Sequence, residues 1–412
     1  MKSILFLLAL AVGVGLRADD IAYVTNFSSN NVSVIDVATG TVSSTIAVGT
    51  RPFGVAFSPD GSTAYVTNFY SSGSNNVSVI DVATGTVSST IAVGTNPFDV
   101  AFSPDGSTAY VPNYGSNNVS VIDVATGTVS STIAVGTRPR DVAFSPDGST
   151  AYVTNSGSNN VSVIDVATGT VSSTIAVGTN PRGVAFSPDG STAYVPNFSS
   201  NNVSVIDVAT GTVSSTIAVG TRPRDVAFSP DGSTAYVTNS GSGSNNVSVI
   251  DVATGTVSST IAVGTRPFGV AFSPDGSTAY VPNSGSNNVS VIDVATGTVS
   301  STIAVGTNPR DVAFSPGGST PPIVRVSGIS KTNIYFSQTE LFNLISWSTV
   351  TGTIGYRVYR DQALSVLAGE TSSTEFEDHS RAPNTTYSYF IVSIDSLGVE
   401  ALIGNVTVKS SL

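Results

Sequence analysis

Residues 152–193 read YVTNSGSNNVSVIDVATGTVSSTIAVGTNPRGVAFSPDGSTA, and near-copies of this segment fill positions 21 to 316. The equivalent tyrosines are Tyr23, Tyr65, Tyr110, Tyr152, Tyr194, Tyr236 and Tyr280, spaced 42, 45, 42, 42, 42 and 44 residues apart. A period in the low forties with several short β-type runs per copy is the signature of a β-propeller, one blade per copy. Each copy holds four such runs. In one copy they are Val184-Ala-Phe-Ser, Ala193-Tyr-Val, Asn202-Val-Ser-Val-Ile-Asp-Val and Thr212-Val-Ser-Ser-Thr-Ile-Ala-Val. We label them a to d, with a innermost. Asp-Gly and Thr-Gly between β-branched runs are hairpin signals, because glycine accepts the positive φ of tight turns.

The ends of the array predict how the ring closes. The first copy opens at strand b (Ala22-Tyr-Val) and the last stops after strand a (Val312-Ala-Phe-Ser). Seven complete blades exist only if the last a pairs with the first b, which removes exposed sheet edges. The expected fold is therefore all-β: a seven-bladed propeller closed by both ends of the array.

These residues resemble the YVTN β-propeller family, whose namesake stands at Tyr23–Asn26, Tyr65–Asn68, Tyr152–Asn155 and Tyr236–Asn239, with YVPN at the other three copies through Pro112, Pro196 and Pro282. The SPDG and VIDVATG elements fit it as well. The resemblance implies a seven-bladed propeller of the secreted or surface-layer type. Propellers similar to this one also include phosphogluconolactonase-like hydrolases. A fold shared so widely does not imply one activity.

Around this array the chain divides further. Met1-Lys2-Ser3, the apolar run Ile4–Gly15 and Leu16-Arg17-Ala18 read as a cleaved export signal over residues 1–18. This predicts a secreted, periplasmic or cell-surface protein with no transmembrane segment in the mature chain. The propeller is expected over 21–318, a linker around Pro321-Pro322 over 319–322, and a second domain over 323–412. In that last part Leu344-Ile-Ser-Trp-Ser, Gly355-Tyr-Arg-Val-Tyr-Arg and Thr386-Tyr-Ser-Tyr-Phe-Ile-Val-Ser alternate with period two. It resembles a fibronectin type III module, with Trp347 and Tyr387 as its core tryptophan and corner tyrosine.

Differences between copies concentrate in the b–c and d–a connections, which the alternation of strand direction sends to one face. All eight propeller arginines lie in the d–a segments, as do four aspartates: Asp99, Asp141, Asp225 and Asp311. Thr/Pro swaps, a Phe, Tyr or Ser after the Asn, and insertions near Ser72 and Gly243 are assigned to the b–c connection. The candidate ligand-binding residues are Arg51, Phe53, Phe98, Arg138, Arg140, Arg182, Arg222, Arg224, Arg266, Phe268 and Arg310. Guanidinium forks suit carboxylate, sulfate or phosphate. The alternative is drift in exposed loops, with Arg and Asp of neighbouring blades paired. The repeated aspartates of the other connections read as turn residues bonded to nearby amides.

The propeller holds no His, Cys, Glu, Lys or Trp, which leaves no haem, zinc or copper ligand set there; no cofactor and no metal is expected. Acid–base chemistry would fall to aspartates. A net charge of −11 with three lysines argues against nucleic-acid binding. The leading expectation is thus an exported, non-enzymatic binding or scaffold protein for a polar or anionic protein or glycan partner. The alternatives are a lactonase-type hydrolase on the propeller or a structural surface-layer subunit. The sequence does not set the oligomeric state.

Overall fold

The structure, a computed structural model, describes residues 21–69 and 75–316 in full. Within residues 327–409 it describes seven strands, with side chains only at Tyr356, Arg357 and Val358. The expected export signal, the linker, the insertion near Ser72 and Trp347 lie outside the described residues. Among the described residues every regular element is a β-strand, and no helix is long and apolar enough to cross a membrane. The chain divides into two compact units, residues 1–317 and 318–412.

The first unit comprises seven four-stranded antiparallel sheets in the order a–b–c–d. We number the blades by the tyrosine of strand b, from Tyr23 in blade 1 to Tyr280 in blade 7. In blade 1 the inner strand Pro309–Phe314 comes from the far end of the array and pairs with Ile21–Asn26 through Ala22↔Phe314, Tyr23↔Ala313 and Val24↔Val312. The ring closes as its sequence ends predict.

Each letter of the signature has a separate physical role. The tyrosine leaves its own blade and packs on the strand-a phenylalanine of the next. Tyr23 meets Phe57 with ring centroids 4.6 Å apart, and the series runs through to Tyr280 and Phe314 at 4.8 Å. Burial, aided by Asp81 of the next blade, pushes the Tyr23 phenol up to about 12. The following valine is fully buried in every copy. The asparagine is buried too, and its amide donates to Asn31 Oδ1 and Ser33 Oγ in blade 1, stapling strand b to strand c.

The third letter sets the form of the inner strand, and the Thr/Pro swap belongs to strand b, not to the b–c connection. Where it is threonine, in blades 1, 2, 4 and 6, strand a is six residues long, as in Pro139–Phe144. Where it is proline, in blades 3, 5 and 7, strand a shrinks to two residues, as in Ala185–Phe186. The threonine hydroxyl crosses to the next blade: Thr154 Oγ1 donates to Arg182 O at 2.6 Å and Thr238 Oγ1 to Phe268 O at 2.6 Å. In the proline blades that hydroxyl is replaced, and the proline carbonyl accepts the strand-a amide instead, as from Arg182 N at 3.0 Å.

On the opposite face the turn aspartates hold the turns. Asp60 accepts from Ser62 N at 3.0 Å and Asp36 from Thr39 N at 2.8 Å. Hydrogen bonds from Ser58 and Ser62 hold the Asp60 carboxyl below the usual carboxylate range.

In the second unit, Ser327–Ile334, Thr339–Ser346 and Glu375–Asp378 form one antiparallel sheet. Leu367–Thr371, Thr353–Tyr359, Thr386–Asp395 and Glu400–Lys409 form a second, and Tyr387 lies in its third strand.

The interlocking tyrosines make blade contacts sensitive to truncation. Tyr152→Ala removes a fully buried aromatic from the blade 4–5 contact. It is expected to lower unfolding stability by about 3–5 kcal/mol, the usual cost of emptying an aromatic core site. Chemical denaturation of the full chain checks this.

Candidate active site

All seven inner strands bring one d–a motif to the central axis, and the motif's four positions have distinct fates. The first, Arg or Asn before proline, takes the left-handed conformation in every blade, with φ from 53° to 59°. Its amide is held by an asparagine of the preceding blade, as Arg51 N by Asn30 Oδ1 at 2.9 Å and Arg138 N by Asn117 Oδ1 at 2.8 Å. Arg51, Arg138, Arg222 and Arg266 therefore sit exposed on the rim. The third and fourth positions point inward, and all of them but Arg310 line a cavity of about 520 Å³, counting the space open to solvent.

The third position forms the mouth. It carries Phe53, Phe98, Arg140, Arg182, Arg224, Phe268 and Arg310 in blade order. The guanidinium groups stack on aromatics drawn both from this column and from the residue after the buried asparagine. Arg140 lies 4.7 Å from the Phe98 ring centroid and 4.8 Å from Tyr114. Arg182 lies 4.3 Å from Phe198, and Arg224 4.3 Å from Phe268. Arg310 lies 4.7 Å from both Phe27 and Phe268. Such contacts contribute roughly 0.5–2 kcal/mol each.

The two columns match within a blade. Where serine follows the asparagine, the guanidinium bonds it: Arg140 Nε to Ser156 Oγ at 3.0 Å and Arg224 Nε to Ser240 Oγ at 2.7 Å. Where phenylalanine follows, the Nε protons of Arg182 and Arg310 are buried without an acceptor. Burial, together with neighbouring Arg182, lowers Arg140 and Arg224 to about 9, and burial lowers Arg182 and Arg310 to about 10. All four stay cationic at neutral pH. Among the described residues no ion pair joins them to the axial aspartates.

The fourth position forms a second layer. In blade order it reads Gly54, Asp99, Asp141, Gly183, Asp225, Gly269 and Asp311. Three aspartates each bridge two blades, one oxygen accepting the next amide of their own strand and the other an amide of the following blade. Asp141 accepts from Val142 N at 2.9 Å and Val184 N at 2.6 Å. Asp225 accepts from Val226 N and Val270 N, and Asp311 from Val312 N and Val55 N. Each glycine of this layer is packed against the aspartate of the blade after it and has no room for a side chain of its own. A Cβ on Gly183 would lie 2.8 Å from Asp225 Oδ1, and one on Gly269 2.9 Å from Asp311 Oδ1.

Burial drives all four carboxyls upward. Asp99 and Asp225 rise well above the usual carboxylate range, Asp141 rises, and Asp311 reaches about 7, with like charges across the ring adding to Asp99, Asp225 and Asp311. The layer thus offers buried carboxyls with a strengthened hold on protons, Asp311 at about 7, beside cations that can hold a developing oxyanion.

Of the eleven residues named from sequence, six line the axial cavity, Phe53, Phe98, Arg140, Arg182, Arg224 and Phe268, and Arg310 stacks beside them on Phe53 and Phe268. The four rim arginines do not line the cavity. Sequence reasoning did not select the four aspartates or Phe27, Tyr114 and Phe198, although the Gly/Asp column and the Phe/Tyr/Ser column were both visible.

The sequence model described as "Lactonase, 7-bladed beta-propeller" matches residues 17–176 and 212–321, well over half the chain. The chain belongs to this family of seven-bladed lactonase propellers. A YNCE-like β-propeller model matches residues 148–242. No curated protein sequence matches significantly. Among solved structures, hydrazine synthase of Kuenenia stuttgartiensis is 27% identical, with a TM-score of 0.62 over 70% of this chain and 99% of that chain. A putative 6-phosphogluconolactonase from Bacteroides uniformis is 22% identical, with a TM-score of 0.63 over 72% and 99%. One from Bacteroides fragilis is 20% identical, with a TM-score of 0.62 over 72% and 98%. The last two likenesses are of fold.

The family match overturns the expectation of a non-enzymatic binding or scaffold protein and favours the hydrolase that was its alternative. The reason the residues misled is physical. The d–a segments were read as a binding rim, whereas their inner half turns down the axis and concentrates carboxyls and guanidinia in one enclosed place.

The axial carboxyls make stability depend on pH. Asp311 has a folded value near 7 against about 3.9 for a free aspartate. The folded state holds the extra proton, so this stabilisation is full below about pH 4 and is lost as pH rises through about 7. The midpoint of thermal unfolding should fall between about pH 5 and pH 8, and Asp311→Asn should flatten that slope. Differential scanning calorimetry across this range tests it.

Proposed function

We propose that the chain is a lactonase-type hydrolase whose reaction takes place in the axial cavity. Family membership supports the reaction class. The observation that carries the location is the stacking of a cationic mouth over a ring of carboxyls whose hold on protons burial strengthens, Asp311 reaching about 7. Lactone hydrolysis adds water to an ester carbonyl, moves charge onto the carbonyl oxygen, and then releases the ring oxygen as an alcohol. The first step needs a base with an affinity for protons near the working pH. The second needs fixed positive charge where the oxyanion forms. The aspartates fit the first demand and Arg140, Arg182, Arg224 and Arg310 the second. The open Nε protons of Arg182 and Arg310 suit a lactone that also carries an acidic group, and the aromatic walls suit its apolar face.

For the remaining chain we keep the earlier expectations as proposals. The YVTN resemblance describes the repeat, and export through residues 1–18 describes its destination. A fibronectin type III-like module describes residues 323–412, supported by the division of its strands into sheets of three and four.

The test is a hydrolysis panel of aliphatic, aromatic and sugar lactones, including 6-phosphogluconolactone, followed by pH-stat titration. Turnover of at least one class is expected. Arg182→Ser should lower kcat/KM by about 100-fold, in the range for loss of one oxyanion donor. No turnover across the whole panel overturns the reading.

A further inference from the structure

The axial ring has an odd number of places, and this singles out one pair of residues. Aspartate and glycine alternate around it except once, where Asp99 of blade 3 stands beside Asp141 of blade 4. Seven places cannot alternate two residue types without one repeat, but the repeat could equally have been two glycines. Two glycines would bring no carboxyl against another. The ring instead holds two carboxyls together in a desolvated place, at an electrostatic cost.

Hydrogen bonding makes Asp99 unlike the other three. Asp141, Asp225 and Asp311 each find an amide in the following blade. The amide that Asp99 would meet there is that of Val142, and Asp141 already occupies it at 2.9 Å. Asp99 has no free amide to meet in the following blade, and the Asp141 carboxyl stands next to it on the ring. The two carboxyls line one cavity from adjacent inner strands, and each alters the other's hold on a proton. Two carboxylate oxygens repel and cannot bond without a proton between them. Asp141, which accepts two amides, is the better-stabilised anion, so the proton belongs on Asp99. The other charged groups of this cavity are Asp311 and Asp225 across the ring and Arg140, Arg182 and Arg224 at its mouth, with Arg310 beside them on Phe268.

The place of the mismatch is also independent of ring closure. The Thr/Pro column alternates without fault from Thr67 to Thr25 and repeats only at Thr25 and Thr67, beside the joined ends. The Gly/Asp column breaks elsewhere, in the middle of the chain. Duplication of a two-blade unit accounts for the first and not for the second.

We propose that Asp99 and Asp141 form a carboxylic acid–carboxylate pair sharing one proton, and that this pair is the acid–base device of the axial cavity. The assignment of its task rests on the lactonase reading above. In that task Asp141 takes a proton from water as the water oxygen bonds to the lactone carbonyl carbon. Asp99 gives its proton to the carbonyl oxygen, which yields a neutral tetrahedral adduct. Collapse re-forms the carbonyl, breaks the bond to the ring oxygen and returns the adduct's hydroxyl proton to Asp99. The proton on Asp141 passes to the departing ring oxygen. Water and lactone become a hydroxy acid, and both carboxyls regain their starting states with no outside reactant.

The pair is tested without substrate first. Infrared difference spectra of the full chain at neutral pH should show the carbonyl stretch of a buried protonated carboxylic acid. Asp99→Gly, which places a glycine where three other blades already carry one, should fold with unchanged or raised thermal stability and lose the Asp99 component of that band, leaving the contributions of Asp225 and Asp311. Asp99→Asn serves as a second variant that keeps the side-chain volume. A spectrum unchanged in both variants overturns the pair. The second arm is a pH–rate profile on whichever lactone is turned over. Asp99→Gly should lower kcat by about 100-fold or more and remove the alkaline limb, as expected for loss of a general acid. Turnover with an unaltered profile overturns the pair's catalytic task while the lactonase reading stands. Failure of every lactone with the Asp99 component of the band present removes the task assigned to the pair together with the lactonase reading, and leaves the shared proton established.

Discussion

The inner strands of seven blades must share one narrow axis, and the residues there are chosen by what fits beside what. An aspartate that reaches across to the next blade bonds two amides at once, which ties neighbouring blades at their closest approach. Each aspartate also presses back on the strand of the blade before it and leaves no space for a side chain there, so glycine precedes it, except at Asp141. Gly183 and Gly269 are explained by this crowding and not by a special backbone angle. The rule is local, between nearest neighbours, yet on a ring it acquires a global consequence. With an odd number of places it must fail once.

The same parity acts on the second column. Threonine gives its hydroxyl to the next blade, which carries proline and a short inner strand after Thr67, Thr154 and Thr238 and a second long inner strand after Thr25. Two kinds of blade alternate, one with a long inner strand and one with a short inner strand. The chain looks sevenfold but is built from pairs with one blade over. Repetition of the remaining positions hides this, since Tyr, Val and Asn of strand b do the same work in every blade.

Much of the fold could be read from the sequence because its determinants are local and repeated. Spacing of Tyr23 to Tyr280 gave the blade count, and the truncated first and last copies gave the closure through Ala22 and Phe314. The site was half legible. Arg140 and Phe268 stood out by type, but their depth did not, because one motif carries both an exposed rim residue and an axial one. Arg138 and Arg140 are two positions apart and share a motif. One is exposed in a left-handed conformation and the other stacks on Phe98 and Tyr114. Nothing in composition separates them. The aspartates were harder still, because a carboxylate in an acidic protein looks like surface until its neighbours are known, and those neighbours come from the next blade, some 42 residues away in the chain.

The distribution of identity and variation then has an energetic reading. Interlocked tyrosines, buried valines and stapled asparagines are present in every blade, so the ring is stabilised many times over by the same contacts. Guanidinia with unmet Nε protons and carboxyls crowded out of water are costly groups, worth keeping only where something compensates them. They are confined to the axis, where the sequence varies from blade to blade, and are absent from the Tyr–Phe contacts between blades, where it does not. A uniform ring could hold neither a graded cationic mouth nor a single carboxyl pair, because symmetry would repeat each of them in every blade. Breaking the repeat at the axial columns, while Tyr, Val and Asn of strand b stay the same in every blade, allows one asymmetric chemical site to exist inside a repeated frame.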